Sequence, residues 1–283
     1  MTLFPPLFAD EATGMSPKPV DLFSIGGFPV NNSMIAETIA CIAVIVVIQI
    51  AMRKPQLVPS GMQNFIEWLV ELLSNFIESL AGRKTMERGF WYFGSLFVFI
   101  LAENLLALFP GTGTVGYGHG TNIWNFEVTH PFLRGANANV NATAAYTAIF
   151  FFMYFYWCWR EAGIRGSLFH VFGSKAKFAN KAVDILFIII FFVVGWIEVF
   201  SILIIRPIAF TFRLFGNIYG GEYLLDSMYK LAPNFAFIIL VPFYFYELLV
   251  AFVQTFVIFA LTAAFTGIIT NAGDHASEES GAH

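Results

Sequence analysis

Two arginines and a glutamate stand in the longest apolar part of this chain, and they are the residues best placed to do chemistry. Arg206, Arg213 and Glu222 follow a long, almost unbroken apolar run that begins at Ile185. An ionisable group in such a run costs about 2.5 kcal/mol or more and is normally kept for function. Arg213 is too far from either end of the run to extend its side chain into water. We predict that Arg213 is a functional cation, whereas Arg206, beside Pro207, is either structural or paired with a carboxylate.

The composition indicates a membrane protein. Of 283 residues, 58% are hydrophobic and 12% are charged, whereas soluble domains have about 25% charged residues. The net charge of −4 comes without a basic patch that contains aromatic residues, so we expect no nucleic-acid partner. Cys41 and Cys158 both fall inside apolar segments, where they act as small hydrophobic residues and form neither a disulfide nor a metal site. No positively charged segment opens the chain, so no signal peptide is expected.

The hydrophobic pattern predicts an all-α integral membrane protein with about five membrane-embedded helices and one interfacial amphipathic helix. We expect a single membrane domain with an exoplasmic N-terminal segment at 1–33, a helical bundle at 34–271 and a cytoplasmic tail at 272–283. A helix needs about 20 apolar residues to span a bilayer. The predicted membrane helices are 34–52, 91–109, 142–159, 182 to about 229, and 234–270, with a Gly/Asn-rich loop at 111–141 and a basic loop at 160–181.

The segment 61–80 has a different pattern. Its polar residues recur every three or four positions, from Asn64 to Glu78, and its other face carries Phe65, Trp68 and Leu72. This spacing is typical of an amphipathic helix. The helix either lies in the membrane interface or packs on a neighbouring subunit.

The last two hydrophobic segments are longer than a membrane is thick. At 1.5 Å per residue, the 37 residues of 234–270 form a helix about 55 Å long, against a hydrocarbon core of about 30 Å. Each segment is therefore steeply tilted or broken, and Pro207 and Pro242 are the expected positions of a kink.

The basic residues predict the orientation in the membrane. Ten lysines and arginines fall on one side of the predicted helices, and three, Lys18, Arg134 and Lys230, fall on the other. Because cytoplasmic loops carry the excess of positive charge, the N-terminus is predicted outside and the C-terminus in the cytoplasm. No internal repeat is visible, and many secondary transporters are built from repeats.

Helical phase assigns the polar residues to two faces. Arg206 and Arg213 are seven residues apart, so they share a face, and Asn217 lies near it. Glu222 is nine residues beyond Arg213, about half a turn out of phase, and Asp226 shares the face of Glu222.

The final segment carries Glu247 and Gln254, which share a face of their own. If the last two segments pack antiparallel, Glu222 and Glu247 approach each other. Two close carboxylates in a medium of low dielectric constant cannot both ionise easily, which suits a proton relay. The alternative is a pair of unrelated acids that face water.

Four further polar residues fall near membrane boundaries. Glu198 and Asp184 lie in the cytoplasmic half of the fourth segment, where they either line a second aqueous path or, for Asp184, stabilise the first turn of a helix. Glu103 and Asn104 lie near the outer end of the second membrane helix and are candidates for the outer path.

Two patterns are misleading. Residues 111–116 match G-x-G-x-x-G, but they follow a membrane helix and no βαβ unit surrounds them, so we reject nucleotide binding. His119, Glu127 and His130 match no zinc spacing. We therefore expect no cofactor and no metal.

At this point the residues identify a family. Arg206-Pro207, the segment Arg213 to Asn217, and Gly221-Glu222 closely resemble the signature of subunit a of F-type ATP synthases. The stretch from Glu103 to Pro110, the stretch from Asn139 to Thr143, and Gln254 resemble further family segments. The resemblance covers roughly residues 30–272.

The resemblance implies a stator subunit of a rotary motor, which is not catalytic itself. The two long tilted helices would form a hairpin against a ring of c subunits, and b subunits would form a peripheral stalk beside it. Arg213 would meet the carboxylate of each passing c subunit and separate two aqueous half-channels. Asn217, Glu222, Glu247 and Gln254 would line or border the outer half-channel, in the inner membrane of a bacterium.

The sequence departs from the family pattern at several positions. The family often has aspartate where Ala107 and Asn139 stand, and many members pair a glutamate with a histidine where this chain has Glu222 and Glu247. Both H⁺ and Na⁺ are therefore open as the ion, and we favour protons. The competing functions are a secondary transporter that binds an anionic substrate at Arg213, and a structural subunit in which Arg213 pairs with an acid of its own chain.

Overall fold

The computed structural model describes residues 19–109, 112, 115–119, 127–163, 181–231 and 235–281. Helices dominate these residues, and apolar helical stretches long enough to cross a membrane occur at four places, Asn32–Ala51, Arg83–Ala107, Ile190–Leu231 and Ile238–Ile268. The predicted all-α integral membrane architecture is confirmed. The helices are α1 Asn32–Ala51, α2 Met62–Ala81, α3 Arg83–Ala107, α4 Val140–Trp157, α5 Lys181–Phe200, α6 Arg206–Leu231 and α7 Ala236–Gly281.

The helix α4 corresponds to the third predicted membrane helix and has 18 residues. Asn141, Thr143 and Tyr146 make it less apolar than the four stretches above. A π-helical turn, Cys158–Ala162, continues it. The predicted basic loop at 160–181 lies for the most part outside the described residues.

The amphipathic helix forms as predicted, at α2. Leu73 and Ile77 are buried, whereas Phe65 and Trp68 are more than half exposed. The exposed aromatic side chains need a cover, and both lipid and a neighbouring subunit would provide it.

Helix α3 begins earlier than predicted, at Arg83 instead of residue 91. It follows α2 after Gly82 alone, whose φ of +87° lets the chain turn sharply. Arg83, Lys84 and Arg88 consequently lie on a helix, not in a loop. Hydropathy finds the part of a helix that fits into lipid, and a polar first turn is invisible to it.

Two antiparallel hairpins occupy segments predicted to be irregular. One pairs β1 Asp21–Ile25 with β2 Phe28–Asn31, and the other pairs β3 Gly116–His119 with β4 Glu127–Pro131. Gly26 and Gly27 both have positive φ, at +59° and +87°, as a tight two-residue turn requires. These strands have four or five residues, too few for a clear alternating pattern.

Neither of the two long segments is broken. A π-helical turn, Ser201–Ile205, joins α5 to α6 immediately before Arg206 and Pro207. Proline has no N–H to donate to the preceding turn, and π-helical turns occur mostly as single turns inside α-helices. Pro242 likewise lies inside the continuous helix α7. The steep tilt of these helices stays a prediction.

Helix α7 has 46 residues and continues to Gly281, beyond the predicted end at residue 270. The predicted tail at 272–283 is therefore largely a helical extension. Its residues are polar but contain no proline, and polarity ends a membrane span without ending a helix.

The chain divides into two compact units. The first comprises Met1–Ile50, Val98–Thr143 and Arg213–Thr255, and the second comprises Ala51–Phe97, Ala144–Phe212 and Phe256–His283. In the first, Ala107, Ala138 and Ile218 form a small apolar core.

Aromatic packing holds the second unit together. Phe150 stacks on Phe210 with ring centroids 5.2 Å apart, and Phe93 lies 5.3 Å from Trp157. The hydroxyl of Thr211 donates a hydrogen bond of 3.1 Å to that of Thr147.

Candidate functional site

Arg213 lies exposed on the surface of α6. Within the described ranges, no acidic side chain pairs with it. Gly216 and Gly220 follow at helical spacing, and apart from the neighbouring backbone of α6 no described residue has an atom within 4 Å of the position that a Cβ would take at either glycine. The cation therefore stands beside an open strip of bare backbone, which we call the glycine strip.

Glu222 points elsewhere and meets a loop arginine. Its side chain is 14% exposed, and its Oε2 lies 3.6 Å from Nε of Arg134, whose side chain is 9% exposed. The guanidinium of Arg134 also lies 5.9 Å from the ring centre of Tyr219. Tyr219 and Glu222 are three residues apart on α6 and so share a face. A pair this well buried is weakly screened by water and salt.

The carboxylate of Glu247 rests on the backbone of α6. Glu247 is 4% exposed, and an added Cβ at Gly221 would lie 2.1 Å from its Oε2. Only glycine leaves this space free. The contact places the acid of α7 beside the residue that precedes Glu222, as the predicted antiparallel hairpin requires.

A buried polar network joins α3, α7 and the loop before α4. Asn137 donates a hydrogen bond of 2.7 Å to Oδ1 of Asn104. Asn104 donates one of 3.0 Å to Thr255, and Thr255 donates one of 2.8 Å to the carbonyl of Ala251. These hydrogen bonds compensate much of the cost of burying amide groups.

Glu103, the neighbour of Asn104, lacks such compensation. It has no exposed surface, and neither carboxylate oxygen has a hydrogen-bond partner in the part of the chain that the structure describes. Nε2 of Gln254 is likewise buried without a hydrogen-bond partner among the described residues. Buried polar atoms of this kind call for a proton, water or an ion.

Asn139 has a local structural role. Its Oδ1 accepts a hydrogen bond of 3.1 Å from the N–H of Asn141, and its φ of −116° and ψ of 119° are extended. It is therefore the N-cap of α4. An aspartate would cap the helix in the same way.

Several predicted site residues lie apart from these groups. Asp226 forms an ion pair of 2.8 Å with Lys230 on the same helix. The guanidinium of Arg206 lies 4.4 Å from the ring centre of Phe265 in the second unit, which fits the structural alternative. Asn217 and Glu198 are half-buried on α6 and α5. Roles for Asp226, Asn217 and Glu198 in an ion path stay predictions.

The two misleading patterns are only partly described, since residues 111, 113 and 114 lie outside the described residues. His119, Glu127 and His130 lie on β3 and β4, and their side chains are not among those that the structure describes. Across the described ranges, no group of three His, Cys, Asp or Glu side chains is arranged to hold a metal ion.

Sequence reasoning missed Arg134, Asn137 and Thr255. Arg134 counted only as an external charge, and the two polar residues looked like ordinary loop and helix positions. A lone cation five residues before a helix-capping Asn139 is a faint signal, because nothing local indicates which helix it meets.

The first unit holds three largely buried acids, Glu103, Glu222 and Glu247, and Glu222 lies beside Arg134. Carboxyl groups can take up and release protons, whereas arginine stays charged. The arrangement offers exchangeable protons close to a permanent charge. Such groups in a multi-pass membrane protein are expensive and characteristic of ion transport.

The comparisons with known proteins agree with this class. The family model for the ATP synthase A chain matches residues 34–267. The chain is 30% identical over 276 residues to ATP synthase subunit a of Solidesulfovibrio magneticus, which covers 96% of this chain and 97% of that protein. This multi-pass membrane protein belongs to the ATP synthase A chain family, and it is a component of the ATP synthase complex.

Of two further relatives, one is only about half spanned by this chain and the other has an ion in its description. The chain is 30% identical over 249 residues to ATP synthase subunit a of an Anaeromyxobacter species, but it spans only 54% of the length of that protein. It is 25% identical over 242 residues to a protein of Propionigenium modestum described as ATP synthase subunit a, sodium ion specific, covering 84% of this chain and 74% of that protein.

Proposed function

We propose that this chain is the non-catalytic ion-channel subunit of the stator in a rotary ATP synthase. Two aqueous half-channels, one open to each side of the membrane, pass protons to and from the carboxylates of a c-subunit ring during ATP synthesis. Each proton enters by one half-channel, travels with the ring, and leaves by the other.

The observation that carries this proposal is the exposure of Arg213 beside the glycine strip. A cation without an acidic partner among the described residues is available to a carboxylate of another chain. Small residues let helices approach closely in membranes, so Gly216 and Gly220 give a c-subunit helix access to the arginine. A fixed cation favours the ionised form of an approaching carboxylate and expels its proton. Arginine keeps its own proton and so does not leak.

For the outer half-channel we propose Glu222, Glu247, Asn217 and Gln254, continued by Glu103 and Asn104. Among the described residues, the oxygens of Glu103 and the amide of Gln254 have no hydrogen-bond partner, which supports this proposal because water-filled paths need polar groups that are free to bind water. Glu198 is proposed for the inner half-channel.

The proposed setting is a bacterial inner membrane, with the N-terminus outside and the C-terminus in the cytoplasm, as the basic residues favour. The proposed partners are the c-subunit ring and the b-subunit peripheral stalk. We propose protons as the ion, and the sodium-specific relative makes Na⁺ the outcome to test against.

The test is Arg213→Ala in the whole complex, reconstituted into vesicles. ATP-driven acidification and ATP synthesis should both fall to background, while subunit content stays normal. Arg83→Gln is a matched control, because Arg83 is an exposed arginine that forms a surface ion pair of 2.8 Å with Glu87. Coupled pumping by Arg213→Ala would refute the motor function. Pumping that requires added Na⁺ would refute the choice of ion alone.

A further inference from the structure

Arg134 is a buried cation in a segment that is otherwise a loop. It is 7% exposed and precedes the short 3-10 turn Ala136–Ala138. Removing a guanidinium from water is expensive unless a partner compensates the charge. A buried arginine in a loop therefore needs a specific reason for its position.

The loop that carries Arg134 is held in place at Gly135 and at Asn137. An added Cβ at Gly135 would lie 2.5 Å from Cβ of Ala107 and 3.4 Å from Oε1 of Glu222. Two residues further on, Asn137 is hydrogen-bonded to Asn104 at 2.7 Å. The backbone thus sits directly on α3 and beside Glu222, and it fixes the point from which Arg134 extends.

Arg134 and Glu222 lie close together, but their distance is too long for an ordinary hydrogen bond. The distance of 3.6 Å between Nε and Oε2 is longer than an ordinary hydrogen bond of about 2.7 to 3.2 Å. Oε2 accepts no hydrogen bond from any of the described residues. The arginine thus supplies charge while leaving an oxygen of the carboxylate open to a proton.

We propose that Arg134 is the fixed counter-charge of Glu222 and a positioning residue of the outer proton path. Between two proton transfers Glu222 bears a negative charge, and Arg134 compensates it without offering a proton of its own. The Tyr219 ring, 5.9 Å from the guanidinium, keeps the arginine turned toward α6. This inference rests on the proposed proton path through Glu222.

The test compares variants of the whole complex in vesicles by the initial rate of ATP-driven acidification. Arg134→Gln should lower the rate about tenfold or more, because loss of one partner leaves the other buried charge uncompensated. Arg134→Lys retains the cation and should recover most of the rate. Arg83→Gln, which breaks an exposed Arg–Glu pair, should pump as the wild type does.

A double-mutant cycle isolates the role of the charge. If Arg134 acts through Glu222, Arg134→Gln should have no further effect once Glu222→Gln is present. Full additivity of the two changes would overturn the proposal, and so would a wild-type rate in Arg134→Gln. If Arg134→Gln fails to assemble, the double variant should assemble again, because it buries no charge at this place. Its failure would also overturn the proposal.

The outcomes separate this inference from the proposed function. If Glu222→Gln acidifies the vesicles slowly while Arg134→Gln does so at the wild-type rate, only the role of Arg134 is refuted. If Glu222→Gln acidifies the vesicles at the wild-type rate, Glu222 is not in the proton path, and the proposed role of Arg134 is refuted as well. The motor function is then still tested by Arg213→Ala.

Discussion

Substituting Gly221 by alanine should slow proton transfer while changing the stability of the protein little. The new methyl group would lie 2.1 Å from Oε2, 2.3 Å from Cδ and 2.6 Å from Oε1 of Glu247. Non-bonded heavy atoms prefer separations of about 3.5 to 4.0 Å. The carboxylate must therefore retreat by about 1 Å or more.

The energetic cost of that retreat is small, because all three atoms belong to the end of a flexible side chain. Crowding costs about 1 to 3 kcal/mol, while replacing glycine by alanine inside a helix gains about 1 kcal/mol. We expect the unfolding temperature in detergent to change little. A displacement of about 1 Å at a reacting group can slow a reaction about a hundredfold, so proton pumping should fall about tenfold to a hundredfold.

The assay is ATP-driven acidification by the whole complex in vesicles, with subunit content measured alongside. Gly94→Ala is the matched control, since Gly94 also lies inside a helix and its added Cβ would meet Phe90 at an ordinary 3.4 Å. Combining Gly221→Ala with Glu247→Asp should restore part of the rate, because the shorter acid fits beside the methyl group. A wild-type rate in Gly221→Ala, or no recovery in the double variant, would refute the role of this contact.

Two further predictions follow from buried polar groups. Asn139→Ala should lower the stability of the protein by about 1 kcal/mol through loss of the α4 cap, whereas Asn139→Asp should not. Thermal unfolding in detergent measures both, and equal stability of all three proteins would contradict the capping role. Glu103→Gln should slow acidification without lowering the unfolding temperature, because it removes a buried carboxylate that has no hydrogen-bond partner among the described residues. Unchanged acidification would exclude Glu103 from the path.

The sequence predicts the helices well and their ends less well. Hydropathy locates α1 within two residues at its start, yet misses the first turns of α3 and the last turns of α7. Those turns are polar, and polar residues such as Arg83 and Lys84 form helices readily. The pattern reports where lipid ends, and the backbone hydrogen bonds continue past that point.

The candidate site divides in the same way. Arg213, Glu222 and Glu247 are predictable, because a charged residue in an apolar helix is conspicuous on its own. Arg134 and Asn137 are not, because their meaning depends on which helix the loop meets. That contact joins residues 88 apart, from Arg134 to Glu222, and no local pattern encodes it.

The phase of α6 keeps its two charged residues from neutralising each other. Arg213 and Glu222 are nine residues apart, so they leave the helix about half a turn out of phase. Glu222 turns to Arg134 in the loop, and Arg213 stays exposed beside the glycine strip. If these two residues faced each other, they would form an inert ion pair inside the membrane. If Arg134 compensates the charge of Glu222 as proposed, Arg213 keeps its own charge for a carboxylate from another chain, as the proposed motor requires.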